Sequence, residues 1–413
     1  MERTELYLRL QSLAVFRGVL SDPVVEALCG CLNCLGEKEL RPQAVSAYGE
    51  LVSRLYRLGS GNLSAYIQRV VEQDENVCIC AVGRGEMPPA YMLQCLDEEL
   101  KTLQAAAELT PEALMGTPEG ADWLPRFVSA PVDLASLYHE RLAGVSRWGY
   151  GIYARHHMFY LDEAGSIVPV RHPDGTRLSD LVDYQRERQL ILDNTYALLA
   201  GRPAANVLLT GDAGTGKSST IKAVVNELYP QGLRIIEVRK ELLRAIPALL
   251  DELTDNPLKF ILFIDDLSFQ KGDDSYSALK AVLEGSVSAK SRNVAIYATS
   301  NRRHLVRETF SDREGDDIHR GETMQEMLSL SERFGLHITF QKPNKATYLG
   351  IVRHLAEAQG TALEPERLEA LAERFALERG GRSARAARQF VESLAAAPDS
   401  VPGHTGNTYG DNQ

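Results

Sequence analysis

Between Gly211 and Ser219 the chain reads GDAGTGKSS. Gly211, four residues, then Gly216, Lys217 and Ser218 complete the pattern G-x-x-x-x-G-K-[ST], a loop built to hold phosphate. Small residues let the backbone N–H groups of Asp212, Ala213, Gly214, Thr215 and Gly216 turn inward, and Ser218 and Ser219 open a helix whose N-terminus adds a positive dipole end. Lys217 has the length to reach β- and γ-phosphates, and the Ser218 hydroxyl can join a Mg²⁺ shell. The second acid-bearing stretch, Phe260-Ile261-Leu262-Phe263-Ile264, ends in Asp265 and Asp266. An apolar strand ending this way delivers carboxylates to the carboxyl edge of a sheet. Asp265 suits the Mg²⁺ side, acting through water because small Mg²⁺ keeps several waters. Asp266 suits polarisation of an attacking water. A third run, Val294 to Ala298, leads into Thr299, Ser300 and Asn301, where a polar side chain could orient that water.

These residues need a scaffold, and the flanking pattern supplies one. Val207-Leu208-Leu209 is apolar throughout, as in a strand buried on both faces, and Ile221, Val224, Val225 and Leu228 follow at helical spacing. Further strands are expected at Leu233 to Val238, Phe260 to Ile264, Asn293 to Thr299 and Leu336 to Phe340, with helices between. Such alternation predicts a parallel sheet covered by helices on both faces, the α/β fold of a P-loop NTPase. Five segments follow: a mostly helical N-terminal domain over 1–147, a strand-rich connector over 148–177, the nucleotide-binding α/β domain over 178–343, a helical lid over 344–396 and a polar tail over 397–413. A helix is expected from Leu178 to Leu199, capped by Ser179 or Asp180. The adenine pocket is expected just before the P-loop strand, at Leu181, Val182 and Tyr184. Tail composition, rich in Pro, Gly, Ser and Asn, is that of a disordered segment.

The 413 residues carry 44% hydrophobic and 24% charged residues, as an ordinary globular protein does. A net charge of −11 argues against a wholesale electrostatic grip on nucleic acid. No apolar stretch reaches bilayer length, and MERTELYLRLQSL lacks the apolar core of a secretory signal, so the cytoplasm is the expected compartment. Cys29, Cys31, Cys34, Cys78, Cys80 and Cys95 have metal-like spacings, but their neighbours are apolar, and buried thiols are the better reading. The adjacent His156 and His157 would face opposite sides of a strand and could not easily chelate one metal.

The order of P-loop, Asp-Asp strand, TSNRR, SERFG and helical C-terminal lid resembles the AAA+ ATPases. FIDDLSFQKGDDSYSALKAVLEG, YATSNRRHL and LSLSERFGLHITF resemble, more narrowly, the bacterial domain-of-unknown-function family numbered 815. This likeness spans roughly 178–394 and omits the N-terminal third. It implies ATP and Mg²⁺ as cofactors, Asn301 as the sensor of the γ-phosphate, and Arg333 as an arginine finger reaching a neighbour's nucleotide. Among Arg382, Arg385 and Arg388 it implies a second sensor, with Arg385 favoured for its place after the Ser383 cap. It also implies a homo-oligomer, as a ring or partial ring, acting on a protein client. Two departures matter. Most AAA+ members have Asp-Glu where this chain has Asp265-Asp266, one methylene shorter. VRKELLRAIPALL reads as a helix start, without an aromatic pore loop, which argues against a threading unfoldase.

The leading expectation is therefore a Mg²⁺-dependent ATPase that remodels a macromolecular partner. One alternative is a nucleotide-gated switch or scaffold with slow hydrolysis. Another is a DNA-associated loader, drawn from Arg302, Arg303 and His304, which a solvated basic turn explains equally well.

Overall fold

The computed structural model describes residues 2–34, 42–58, 61–115, 122–269, 274–284, 292–301, 332–361 and 363–396. Arg302, Arg303, His304 and the polar tail lie outside them. Seven strands form one sheet: β1 (Met158–Leu161), β2 (Ile167–Pro169), β3 (Val207–Gly211), β4 (Leu233–Glu237), β5 (Lys259–Ile264), β6 (Val294–Ser300) and β7 (Leu336–Phe340). Their order is β2-β1-β4-β5-β6-β3-β7, with every pair parallel except β1 with β2. The five strands from β3 to β7 fall within a residue or two of the runs expected from apolar patterning.

The central strands are apolar on both faces because helices cover both. Leu208, Ile236, Phe260, Leu262 and Ile264 face one core, and Val207, Leu209, Ile235, Ile261 and Phe263 face the other, beside the P-loop helix Lys217–Leu228. C-terminal helices Lys345–Ala358, Pro365–Glu378 and Ala384–Ala396 close around their own core of Tyr348, Val352, Ala372, Ala387 and Val391. The N-terminal helices enclose a separate core that includes Cys29, Cys31 and Cys78. Burial pushes Cys31 up to about 12 and Cys78 up to about 11, which disfavours the thiolate a metal would need. Among the described residues no group of three or more His, Cys, Asp or Glu could hold a metal ion.

Three expectations need correction. Residues 148–177 are not a separate connector: β1 pairs with β4, so this segment extends the main sheet. Its aromatic start, Gly151–Arg155, is a short helix rather than a strand. The helix expected from Leu178 begins only at Gln185, because Asp183 (φ 68°) and Tyr184 (φ 59°) are left-handed and interrupt the turn. A short 3₁₀ turn over Lys240–Ala245 likewise precedes the helix Ile246–Thr254.

The N-terminal helices meet the sheet at its amino edge. Arg234, near the start of β4, is 4% exposed and donates to the carbonyls of Tyr153 (2.8 Å), Tyr229 (3.0 Å), Leu233 (2.8 Å) and Trp148 (3.3 Å). Burial lowers its pKa to about 10. A guanidinium presents five donors in a planar fork, so no other side chain can join these carbonyls. Arg234→Met should lower unfolding stability by about 3 kcal/mol in urea titration, from the lost charge-assisted bonds and the carbonyls left dry. A change within about 0.5 kcal/mol would show that this junction carries no load.

Candidate functional site

The P-loop leaves the sheet at the carboxyl end of β3, between β6 and β7. Gly214 (φ 80°) and Gly216 (φ 95°) take left-handed backbones at the turn into the helix, a conformation that L side chains resist. Gly216 caps the helix without a side-chain hydrogen bond, so the first N–H groups are left for an anion. Thr215 steadies the loop by donating to Asp212 O at 2.9 Å.

Lys217 is buried, and its Nζ donates to Gly211 O (2.8 Å), Asp212 O (2.9 Å) and Asn301 Oδ1 (3.0 Å). Burial lowers its pKa, while Asp265, Asp212 and Asp266 oppose that shift. Ser218 Oγ donates to Asp265 Oδ1 at 2.6 Å, although the two residues are far apart in sequence. Asn301 Nδ2 donates to Asp266 Oδ1 at 2.7 Å. Its amide thus bridges the P-loop lysine and the second carboxylate. The paired oxygens of Ser218 and Asp265 are hard donors of the sort Mg²⁺ takes, the hydroxyl suited to bind the ion and the carboxylate to hold it through one of the waters that Mg²⁺ keeps.

These groups line a cavity of about 600 Å³, together with Ala213, Gly214, Ser219 and Thr299 on the sheet side and Arg385, Arg388, Gln389 and Glu392 on the lid side. The lid already touches the loop: Arg385 N donates to Gly214 O at 3.2 Å, and a Cβ on Gly214 would lie 3.0 Å from Arg385 Cβ. Of the three arginines weighed for the second sensor, Arg385 and Arg388 face the cavity. Arg382 is bound to Glu373 at 2.7 and 2.8 Å instead.

Leu181 and Val182, expected at the base, line a narrow adjoining pocket of about 40 Å³ with Tyr184, Thr215, Ile351 and Leu355. Val182 also packs against the lid core. Sequence reasoning missed Arg188, which gathers this loop by donating to Leu178 O (3.1 Å), Leu181 O (2.6 Å) and Asp183 O. A signal existed, since a cation in the first turn opposes the helix dipole and calls for another purpose.

Arg333 stands elsewhere. It pairs with Glu284 at 2.5 Å, three residues before β7. Leu336 is level with Val207, the first residue of β3, so Arg333 sits at the amino edge, opposite the loop. At about 3.3 Å per residue, β3 alone separates the two edges by about 15 Å.

A phosphate loop on an α/β sheet, a strand with a polar carboxyl end between it and the acidic strand, and a helical lid over the cleft define an AAA+ P-loop protein. Residues 154–398 match the family model described as Protein of unknown function (DUF815), and the chain belongs to that family. No curated protein matches the chain. Among solved structures, the Thermotoga maritima RuvB Holliday junction branch migration motor overlaps it with 17% identity and a TM-score of 0.36, over 54% of this chain and 64% of that one. A variant of the same motor gives 17% identity and a TM-score of 0.38 over the same shares. The chain thus spans just under two thirds of the length of these structures, and the overlaps are low.

Proposed function

We propose that this protein is a Mg²⁺-dependent ATP hydrolase that works as a homo-oligomer, a ring or partial ring, on a macromolecular partner. The observation that carries the reading is the meeting of Lys217, Ser218, Asp265, Asp266 and Asn301 in one cavity at the carboxyl edge of the sheet. Gly211 to Ser219 would wrap the phosphates, Lys217 would exchange its loop carbonyls for β- and γ-oxygens, and Leu181 and Val182 would contact the base. Ser218 and Asp265 would hold Mg²⁺, which when bound neutralises charge on the phosphates. Asp266 would take the proton of the attacking water as its oxygen joins the γ-phosphorus and the bond to ADP breaks. Asn301 would orient that water, and Arg385 would couple the lid to the phosphates.

ATP hydrolysis measured against protein concentration with Mg²⁺, alongside light scattering for mass, tests the reading. Specific activity should rise as oligomers form. ATP binding with a flat, negligible rate at every mass would overturn it. That result would favour the switch reading, which the tie between Asp266 and Asn301 supports. For Asp266→Asn, the expected result is retained ATP affinity with turnover down about 100-fold, because an amide cannot accept the water's proton. An unchanged rate would assign water activation to another residue.

A further inference from the structure

One residue touches both acids without standing in the phosphate pattern. Thr299, at the end of β6, is 2% exposed. Its hydroxyl donates to Asp265 Oδ1 and accepts the backbone N–H of Asp266 at 2.9 Å. Its carbonyl accepts the N–H of Leu267 at 2.7 Å. Thr299 therefore grips the chain on both sides of the second acid. Within that grip Asp266 adopts a left-handed backbone, with φ 52°. Aspartate tolerates this conformation better than most residues, but something must hold it there.

The consequence is geometric. Asp266 has one methylene between backbone and carboxylate, so the backbone angle decides where its oxygens fall. Its Oδ1 falls 2.7 Å from Asn301 Nδ2, and the Asn301 Oδ1 in turn accepts from Lys217. Asp265 is fixed by two hydroxyls on one oxygen, those of Ser218 and Thr299. The two Thr299 bonds meet at this arrangement: one holds Asp265 beside Ser218, and the other takes the N–H at the kink of the second acid, which Asp265 Oδ1 also faces at 3.2 Å.

We propose that Thr299 is the positioning residue of this site, its hydroxyl setting the metal-side acid and the left-handed second acid at once. The inference rests on the hydrolase reading and deepens it. Thr299→Val keeps the shape and removes the hydroxyl; Thr299→Ser keeps the hydroxyl. Each is compared with wild type for melting temperature, for affinity of a fluorescent ATP analogue at saturating Mg²⁺, for the Mg²⁺ midpoint of that binding, and for kcat.

Thr299→Val should bind the analogue within about threefold of wild type at saturating Mg²⁺, raise the Mg²⁺ midpoint about fivefold and lower kcat at least about tenfold. Thr299→Ser should stay near wild type in all of these. Asp266→Glu should also lower kcat, because the kink places a short side chain and a longer one overshoots. Wild-type kcat and midpoint in Thr299→Val would overturn the proposal, as would equal loss in Thr299→Ser, or a faster Asp266→Glu. A wild-type protein that binds the analogue but turns nothing over overturns the hydrolase reading instead, and the Mg²⁺ midpoint then still tests the link from Thr299 to Asp265.

Discussion

Lys217→Ala should weaken ATP binding about 100-fold or more and abolish measurable turnover. The lysine is the cation that the loop sequence itself supplies, and it is held buried at the turn with its ammonium among the groups that line the cavity. Hydrogen bonds between charged groups contribute about 1.5–3 kcal/mol each, and Lys217 would make two or more. In the absence of ligand its three bonds run to the carbonyls of Gly211 and Asp212 and to Asn301 Oδ1. Thermal melting separates lost affinity from lost fold. ATP at 100 times Kd stabilises a folded protein by about 2.7 kcal/mol, so the wild type should melt higher with ATP. The variant should melt at one temperature with and without it. An unchanged nucleotide shift and rate would remove the P-loop from the site.

Arg333→Ala should lower hydrolysis by about 10³-fold while leaving ATP affinity within a few-fold, because a finger arginine acts on charge that develops in the transition state. The physical basis is where Arg333 stands. It lies at the amino edge of the sheet, paired with Glu284, about 15 Å of strand away from its own P-loop. It can serve the chemistry only in a neighbour. Mixing Arg333→Ala subunits with Lys217→Ala subunits tests this directly. Some mixed interfaces combine an intact loop with an intact arginine, so the mixture should regain activity that neither variant has alone. If light scattering shows normal assembly and no mixture regains activity, the shared site is excluded. A parallel loss of assembly in Arg333→Ala would instead assign the residue to the fold, through its pair with Glu284.

Much of the site was legible in the chain because each part is local. Gly211 to Ser218 is one loop whose glycines, lysine and hydroxyl must be consecutive to do their work. Phe260 to Asp266 announces itself because a strand buried on both faces cannot carry carboxylates except at its end. Strand positions β3 to β7 followed from the same apolar runs. The break at Asp183 and Tyr184 was not legible: LSDLVDYQRERQL has helical spacing throughout, and the contacts that hold the loop open are tertiary or non-helical, with Arg188 drawing in three carbonyls, Tyr184 donating to Gln341 O and Val182 packing on the lid core. Nor did the short strands β1 and β2 reveal their partner, since pairing with β4 is a long-range choice that local pattern does not encode.

The sequence by itself determined the phosphate loop, the two acids, the alternation of strand and helix and the helical lid, because all of these depend on residue type at short spacing. Tertiary structure alone decided which groups meet. It brought Ser218 to Asp265 and Asn301 to Lys217 by inserting β6 between β5 and β3. It turned Arg385 and Arg388 to the cleft and Arg382 to Glu373. It set Arg333 on the edge opposite the loop. The reason is that strand order and crossover direction fix distances between residues remote in the chain, and no periodicity of side chains records them.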